Sequence, residues 1–189
     1  PVNFAINDGQ LVKNYLVNVL GFKEGNVEFI RNATKATFEN YFGNNENPTG
    51  RLAKLVKKEK SDVFIYYSGH GFPDENRDAY FFPVDADPNM VQFGGYPIKT
   101  FLKNTLQLEA KSVTIVLDAC FSGFSIERSV SAPRIALDIM DKIEYSDNYC
   151  IFSSSKANEE STWLDQQQHG MFTYFFLRAI HDKKSSDKN

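Results

Sequence analysis

Apolar positions along the chain follow two patterns that alternate. From Asn7 or Asp8, each a good N-cap, Leu11, Val12, Tyr15, Leu16, Val19 and Leu20 recur at helical spacing, and Gly21 closes that helix. Residues 27–30 (VEFI) read as a short strand. Asn32 or Thr34 then opens a second helix that runs to about Phe42. Residues 43–50 (GNNENPTG) are loop by composition, and 51–60 form a polar helix with Leu52, Leu55 and Val56 on one face. Residues 62–68 are apolar without interruption. Residues 72–78 are a polar loop, 79–84 (AYFFPV) a short apolar run closed by Pro83, and DADP a turn. A helix over 98–108 leads into a second unbroken strand, 112–119. Residues 124–148 are a long connection of mixed polarity with a weakly helical middle at 135–143. The third strand is 148–154, residues 155–170 read as loop, 171–180 as an apolar helix, and the remainder as a solvated tail. Strands that are apolar throughout are buried on both faces, and their alternation with helices predicts an α/β fold with a mainly parallel sheet flanked by helices on both faces.

Two of these strands end in small residues around one reactive side chain. The stretch VFIYYSGHG carries His70, and VTIVLDACFSG carries Cys120. Ligands and chemistry gather beyond the carboxyl ends of parallel strands. A thiol at a tight turn needs a nearby base to become a nucleophile, and His70 on a neighbouring strand supplies one. Attack on an amide builds an oxyanion, for which the N–H groups of Gly71 and Cys120 are the candidate donors. Asp118 and Ser68 each lie two residues before the reactive side chain, so strand alternation turns them to the same face. A carboxylate there suits a basic group on a substrate. Taken alone, SGHG fits an ordinary turn and a buried Cys fits an inert small hydrophobe; the pairing of the two at matching strand ends carries the chemical reading.

Composition narrows this picture without redirecting it. The 189 residues suffice for one domain with a real core, 42% are apolar and 24% charged, and 17 Phe and 9 Tyr point to an aromatic interior. A net charge of −3 gives no basic surface for nucleic acid. Two cysteines make no disulfide framework, so a reducing, cytoplasmic setting is expected. No apolar stretch is long enough to span a bilayer, so no membrane partner is expected.

The paired signatures YYSGHG and DACFSG resemble those of the metacaspase and bacterial caspase-like branch of the caspase-like cysteine peptidases (clan CD, family C14). AINDGQLVKNYLVNVLGF is similar to the first helix of that domain, YFFPVDADP to the segment after the histidine loop, and FSSSKANEES with HGMFTYFFLRAI to its small-subunit portion. The resemblance implies a single caspase-like catalytic domain over 1–189, with a large-subunit-like part to 123, a linker at 124–148 and a small-subunit-like part from 149. It implies a cysteine endopeptidase with Cys120 as nucleophile and His70 as general base. It also implies an acidic P1 pocket selecting Arg or Lys, formed by Asp8, Ser68 and Asp118. DACFSG in place of a QACRG-like motif disfavours Asp at P1. Arg128, Arg134 and Lys142 in the linker are candidate self-cleavage points, set against an intact surface loop. No cofactor is required. Calcium activation through Asp74, Glu75, Asp78, Asp85 and Asp87 stands against the plainer reading of a solvated acidic loop and turn. His169 and His181 read as surface residues, and Trp163 as either a subsite wall or simple packing. The family's first strand would precede Asn7, where six residues stand, so a central strand is expected to be missing and the chain to be a fragment joined to further domains or a regulatory partner. The alternative to an enzyme is a non-catalytic caspase-like interaction or scaffold module.

Overall fold

A computed structural model describes residues 2, 4–74, 78–119, 147–154, 163–164 and 166–186. Three parallel strands form the centre: β1 (Asp62–Ser68), β5 (Ser112–Asp118) and β6 (Tyr149–Ser153), in the order β1-β5-β6. β5 is the middle strand, and its Ile115, Val116 and Leu117 are fully buried. That is why this segment carries no polar alternation. Each such side chain contributes about 1.5–3 kcal/mol by leaving water.

The two faces of the sheet are covered differently. Val63 and Ile65 of β1 and Val113, Ile115 and Leu117 of β5 pack into an aromatic-rich core with Phe38, Phe81, Tyr96 and Phe101. Phe38 stacks on Phe81 and Tyr96, and Phe101 meets Phe81 edge-on. This layer is supplied by α2 (Lys35–Phe42), α5 (Ile98–Leu106) and a small antiparallel sheet of β2 (Gly71–Pro73), β3 (Ala79–Phe81) and β4 (Tyr96–Pro97). On the other face, Phe64 and Tyr66 pack against α1 (Ala5–Asn18) and α6 (Met171–Ser186) through Val12, Leu16 and Leu177. The remaining described elements are α3 (Arg51–Leu55), α4 (Val91–Gly94) and the hairpin of β7 (Trp163–Leu164) and β8 (His169–Gly170).

Several elements depart from the sequence expectation. Asp8 does not cap α1; the helix begins at Ala5 behind Phe4, which takes a left-handed conformation, and Asp8 sits in the first turn and is buried. Thr34, not Asn32, caps α2, exchanging hydrogen bonds with Thr37. Residues 27–30 form no strand and join no ladder among the described residues. α3 stops at Leu55. The loop expected at 72–78 opens with β2, and the loop at 155–170 contains the β7–β8 hairpin. The apolar helix continues past Ile180 to Ser186.

Candidate active site

Parallel pairing of β1 with β5 runs from Asp62 opposite Ser112 to Ser68 opposite Asp118, and Gly69 N–H then donates to the Asp118 carbonyl. The two strands therefore end at the same level. His70 and Cys120 each lie two residues beyond the last pair. Cys120 lies outside the described residues, as do the three linker positions Arg128, Arg134 and Lys142. The residue before Cys120 is held: Ala119 is buried, its N–H donates to Ser154 Oγ at 3.1 Å, and Ser154 N–H donates to the Leu117 carbonyl.

His70 is anchored through its backbone. Its carbonyl accepts from Tyr67 Oη at 2.8 Å and from Phe82 N–H at 3.0 Å. Gly69 makes the first of these bonds feasible, since a Cβ there would fall 2.4 Å from the Tyr67 hydroxyl. The ring remains exposed, yet partial burial pushes its pKa below the ordinary imidazole value. The bond from Phe82 to His70 also fixes the phase of the β2–β3 ladder. Gly71 then faces Phe81 in a non-hydrogen-bonded pair, so its N–H is not spent on β3.

On the α1/α6 face, the sheet end carries two carboxylates side by side. Asp8, only 1% exposed, reaches from α1 to the β8 corner. Gly170 N–H donates to both its oxygens, at 3.2 and 3.0 Å, and His169 Nδ1 lies 2.8 Å from Oδ1. Burial raises the Asp8 pKa most, the bonds from Gly170 and His169 lower it, and the neighbouring Asp118 charge raises it again; the net shift is upward. Asp118 Oδ2 accepts from Thr173 Oγ1 at 2.6 Å, and Thr173 Oγ1 lies 2.7 Å from Tyr66 Oη. A carboxylate only accepts and a threonine has one hydroxyl proton, so Tyr66 must donate to Thr173 and Thr173 to Asp118. Ser68, at the end of β1, stands in register with Asp118. Among the described residues, no hydrogen bond reaches Asp118 Oδ1.

Gly170 completes this arrangement by lacking a side chain. A Cβ there would stand 3.0 Å from Oδ2 of both Asp8 and Asp118. The two anionic oxygens thus converge on the same side of Gly170, an arrangement that suits a cationic N–H donor by charge.

The structure brings Asp8 and Asp118 together, with Ser68 in register with Asp118, and joins to them Tyr66, Thr173 and His169, which the sequence had not singled out for this cluster. His169 is not a surface residue; its side chain is 20% exposed and bound to Asp8, whereas His181 is exposed. The HG pair before an apolar helix was the available signal, but its partner lies 161 residues away. The side chain of Trp163 and Glu75 lie outside the described residues. Of the acidic residues after His70, Asp74 and Asp87 serve local turns and Asp85 binds the start of α2. Asp74 accepts from Asp78 N–H and Tyr80 Oη, Asp85 from Lys35 N–H, and Asp87 from Asn89 N–H. Among the described residues, no three His, Cys, Asp or Glu side chains converge to hold a metal ion, and no helix is long and apolar enough to cross a membrane.

Comparison with known proteins agrees with this architecture. No curated protein matches the chain closely enough to be counted. The family model of the Peptidase C14 caspase domain, a family of cysteine peptidases, matches residues 2–189. With a parallel sheet clothed by helices on both faces and a match over nearly its whole length, the chain belongs to the caspase-domain family.

Proposed function

We propose that the chain is a cysteine endopeptidase that cleaves protein and peptide substrates after Arg or Lys. The observation that carries the reading is the pair of carboxylates, Asp8 and Asp118, set side by side at the strand ends that lead to His70 and Cys120. His70 takes the thiol proton of Cys120, and the thiolate attacks the scissile carbonyl. The resulting oxyanion is met by the N–H groups of Gly71 and Cys120. Collapse of the intermediate passes the proton from His70 to the leaving amine. Water, deprotonated by His70, then hydrolyses the thioester and restores the thiol. The P1 cation rests on Asp118 and Asp8, with Ser68 beside them. All of these steps use side chains and backbone of the chain alone. The same preference allows self-processing within 124–148 at Arg128, Arg134 or Lys142.

A P1-diverse peptide library separates this reading from a non-catalytic interaction module. Cleavage is expected only after Arg and Lys, with all cleavage lost once Cys120 is alkylated. Cleavage after Asp or after neutral residues contradicts the pocket assignment, and no cleavage of any peptide contradicts the enzyme.

The His70 shift sets a pH expectation. A base with a lowered pKa stays neutral, and so competent, to lower pH. The acid limb of kcat/KM is expected below the ordinary histidine value of about 6.5. A limb at or above that value contradicts the assignment of His70 as the neutral base. Gly170→Ala sets a methyl 3.0 Å from Oδ2 of both carboxylates, which must shift and are shielded from a cation. KM for an Arg-P1 peptide is therefore expected to rise roughly tenfold, by the usual ~1.4 kcal/mol per decade, with kcat little changed.

A further inference from the structure

The corner that carries His169 touches the first turn of α1 at three successive residues. Asn7 Nδ2 donates to the Gln168 carbonyl at 3.2 Å, His169 Nδ1 approaches Asp8 Oδ1, and Gly170 N–H spans both Asp8 oxygens. Gln168 takes a positive φ of 56° to make this corner. The contact between the two segments is already made by Asn7 and Gly170. What His169 adds is specific to the Asp8 carboxylate. One donor shared by both oxygens sets the distance of a carboxylate but lets its plane rock. A second donor on Oδ1 alone fixes that plane, and with it the direction in which Oδ2 faces the space beside Gly170. An ionised Asp8 can only accept, so Nδ1 carries the proton.

We infer that His169 is a positioning residue that determines affinity for cations in this pocket, by holding the buried Asp8 carboxylate with Oδ2 on the side where Asp118 Oδ2 converges with it. The inference rests on the acidic-pocket reading of the site but not on Cys120. His169 lies outside the Cys–His pair, and in this role touches the substrate only through Asp8. Its bond to Asp8 also works against burial, lowering a carboxyl pKa that burial raises.

Histidine Nδ1 and the side-chain nitrogen of asparagine stand the same number of bonds from the backbone, so His169→Asn keeps a donor where His169→Ala removes it. The probes are agmatine, a free guanidinium ligand, measured by calorimetry, and an Arg-P1 peptide, measured by kinetics. His169→Ala is expected to weaken agmatine binding and raise KM about tenfold, the loss of one charge-assisted hydrogen bond at ~1.5 kcal/mol. kcat should stay within about twofold and the alkylation rate of Cys120 unchanged, because neither depends on Asp8. His169→Asn should bind agmatine within about threefold of wild type, the span of a few tenths to ~0.7 kcal/mol. A purely structural role predicts a fall in kcat and alkylation rate together, with no rescue by Asn, and that result overturns the inference. Equal agmatine affinity in all three proteins also overturns it while leaving the peptidase reading in place. Agmatine binding with the expected ranking but no peptide cleavage upholds the inference and overturns the peptidase reading. Absence of both binding and cleavage overturns the two together.

Discussion

Asp118→Ala is expected to abolish useful cleavage of Arg-P1 peptides while leaving Cys120 reactive toward a small alkylating agent. Asp118 is the pocket carboxylate with an uncommitted oxygen among the described residues, and its other oxygen is aligned by Thr173, itself aligned by Tyr66. Truncating one partner of a buried, hydrogen-bonded charge pair costs about 2–5 kcal/mol. kcat/KM should accordingly fall by about 10²–10³-fold. The alkylation control matters because Asp118 belongs to β5, whose neighbours Ile115, Val116 and Leu117 are core residues. A variant that lost its fold would lose the His70-assisted rate and alkylate no faster than a free thiol. Retention of full Arg cleavage would refute the placement of Asp118 in the pocket. A fall of the alkylation rate to the free-thiol value together with loss of cleavage would assign the residue to the integrity of the strand instead.

Asp8→Asn is expected to do two things of opposite sign. It removes one of the two pocket charges, and kcat/KM on Arg-P1 peptides should fall about 10–100-fold, the range of a hydrogen bond to a charged group at ~1.5–3 kcal/mol. It should also stabilise the protein at neutral pH. The folded-state pKa of Asp8 is raised, chiefly by burial, so the protonated form is the better tolerated one in the native state. Its favourable contribution is present in full below the unfolded value of about 3.9 and is lost as pH rises through the raised folded value. Ionisation of wild-type Asp8 in the folded protein carries a burial cost that Asn does not incur. The amide oxygen can keep the bonds that Oδ1 accepts from His169 and Gly170, at the loss of the Gly170 bond to Oδ2, while the amide N–H₂ faces Asp118 in place of a second anion. A gain of ~1 kcal/mol would appear as a Tm rise of about 2–4 °C in a domain of this size. The difference between variant and wild type should shrink below pH 4. Thermal melts at pH 7 and pH 4, set beside the kinetics, check both arms, and a destabilised Asp8→Asn at pH 7 would contradict the electrostatic account.

The three central strands were legible because each is an uninterrupted apolar run, and β5 remains so in the fold for the expected reason that both its faces are buried. The placement of Ser68 beside Asp118 follows from the same logic, since a parallel register and a period of two carry residues at equal offsets to one face. What failed was whatever depends on a distant partner. Asp8 has the residue type and position of an N-cap, and nothing within ten residues reveals that its acceptors are taken by Gly170, 162 positions away. His169 was invisible for the same reason, and the β7–β8 hairpin was hidden because its strands have two residues each and, among the described residues, pair with each other. Residues 27–30 show the converse. Their alternation suits a strand, but a strand is a relation between two segments, and among the described residues the second is absent. Tyr66 and Thr173 read as core positions, and both are largely buried. Their polar ends acquire meaning only from the direction of the hydrogen bonds that meet at Asp118.

That direction bears on how the chain can change over evolutionary time. Gly170 N–H, His169 Nδ1–H and the Thr173 hydroxyl all point protons at carboxylates. A lining made of donors tolerates only acceptors in front of it. A lineage that replaced Asp118 or Asp8 singly with Arg would set a cation against protons, and one of those, the Gly170 amide, belongs to the backbone and cannot be exchanged by mutation. Reversal of charge preference therefore has no one-step route through functional intermediates at this site. It requires coordinated replacement on α1, β5 and the α6 corner. On the proposed reading of the site, the corner from 168 to 173 thus acts as a ratchet that holds descendants of this chain to cationic ligands, whatever else about their substrates drifts.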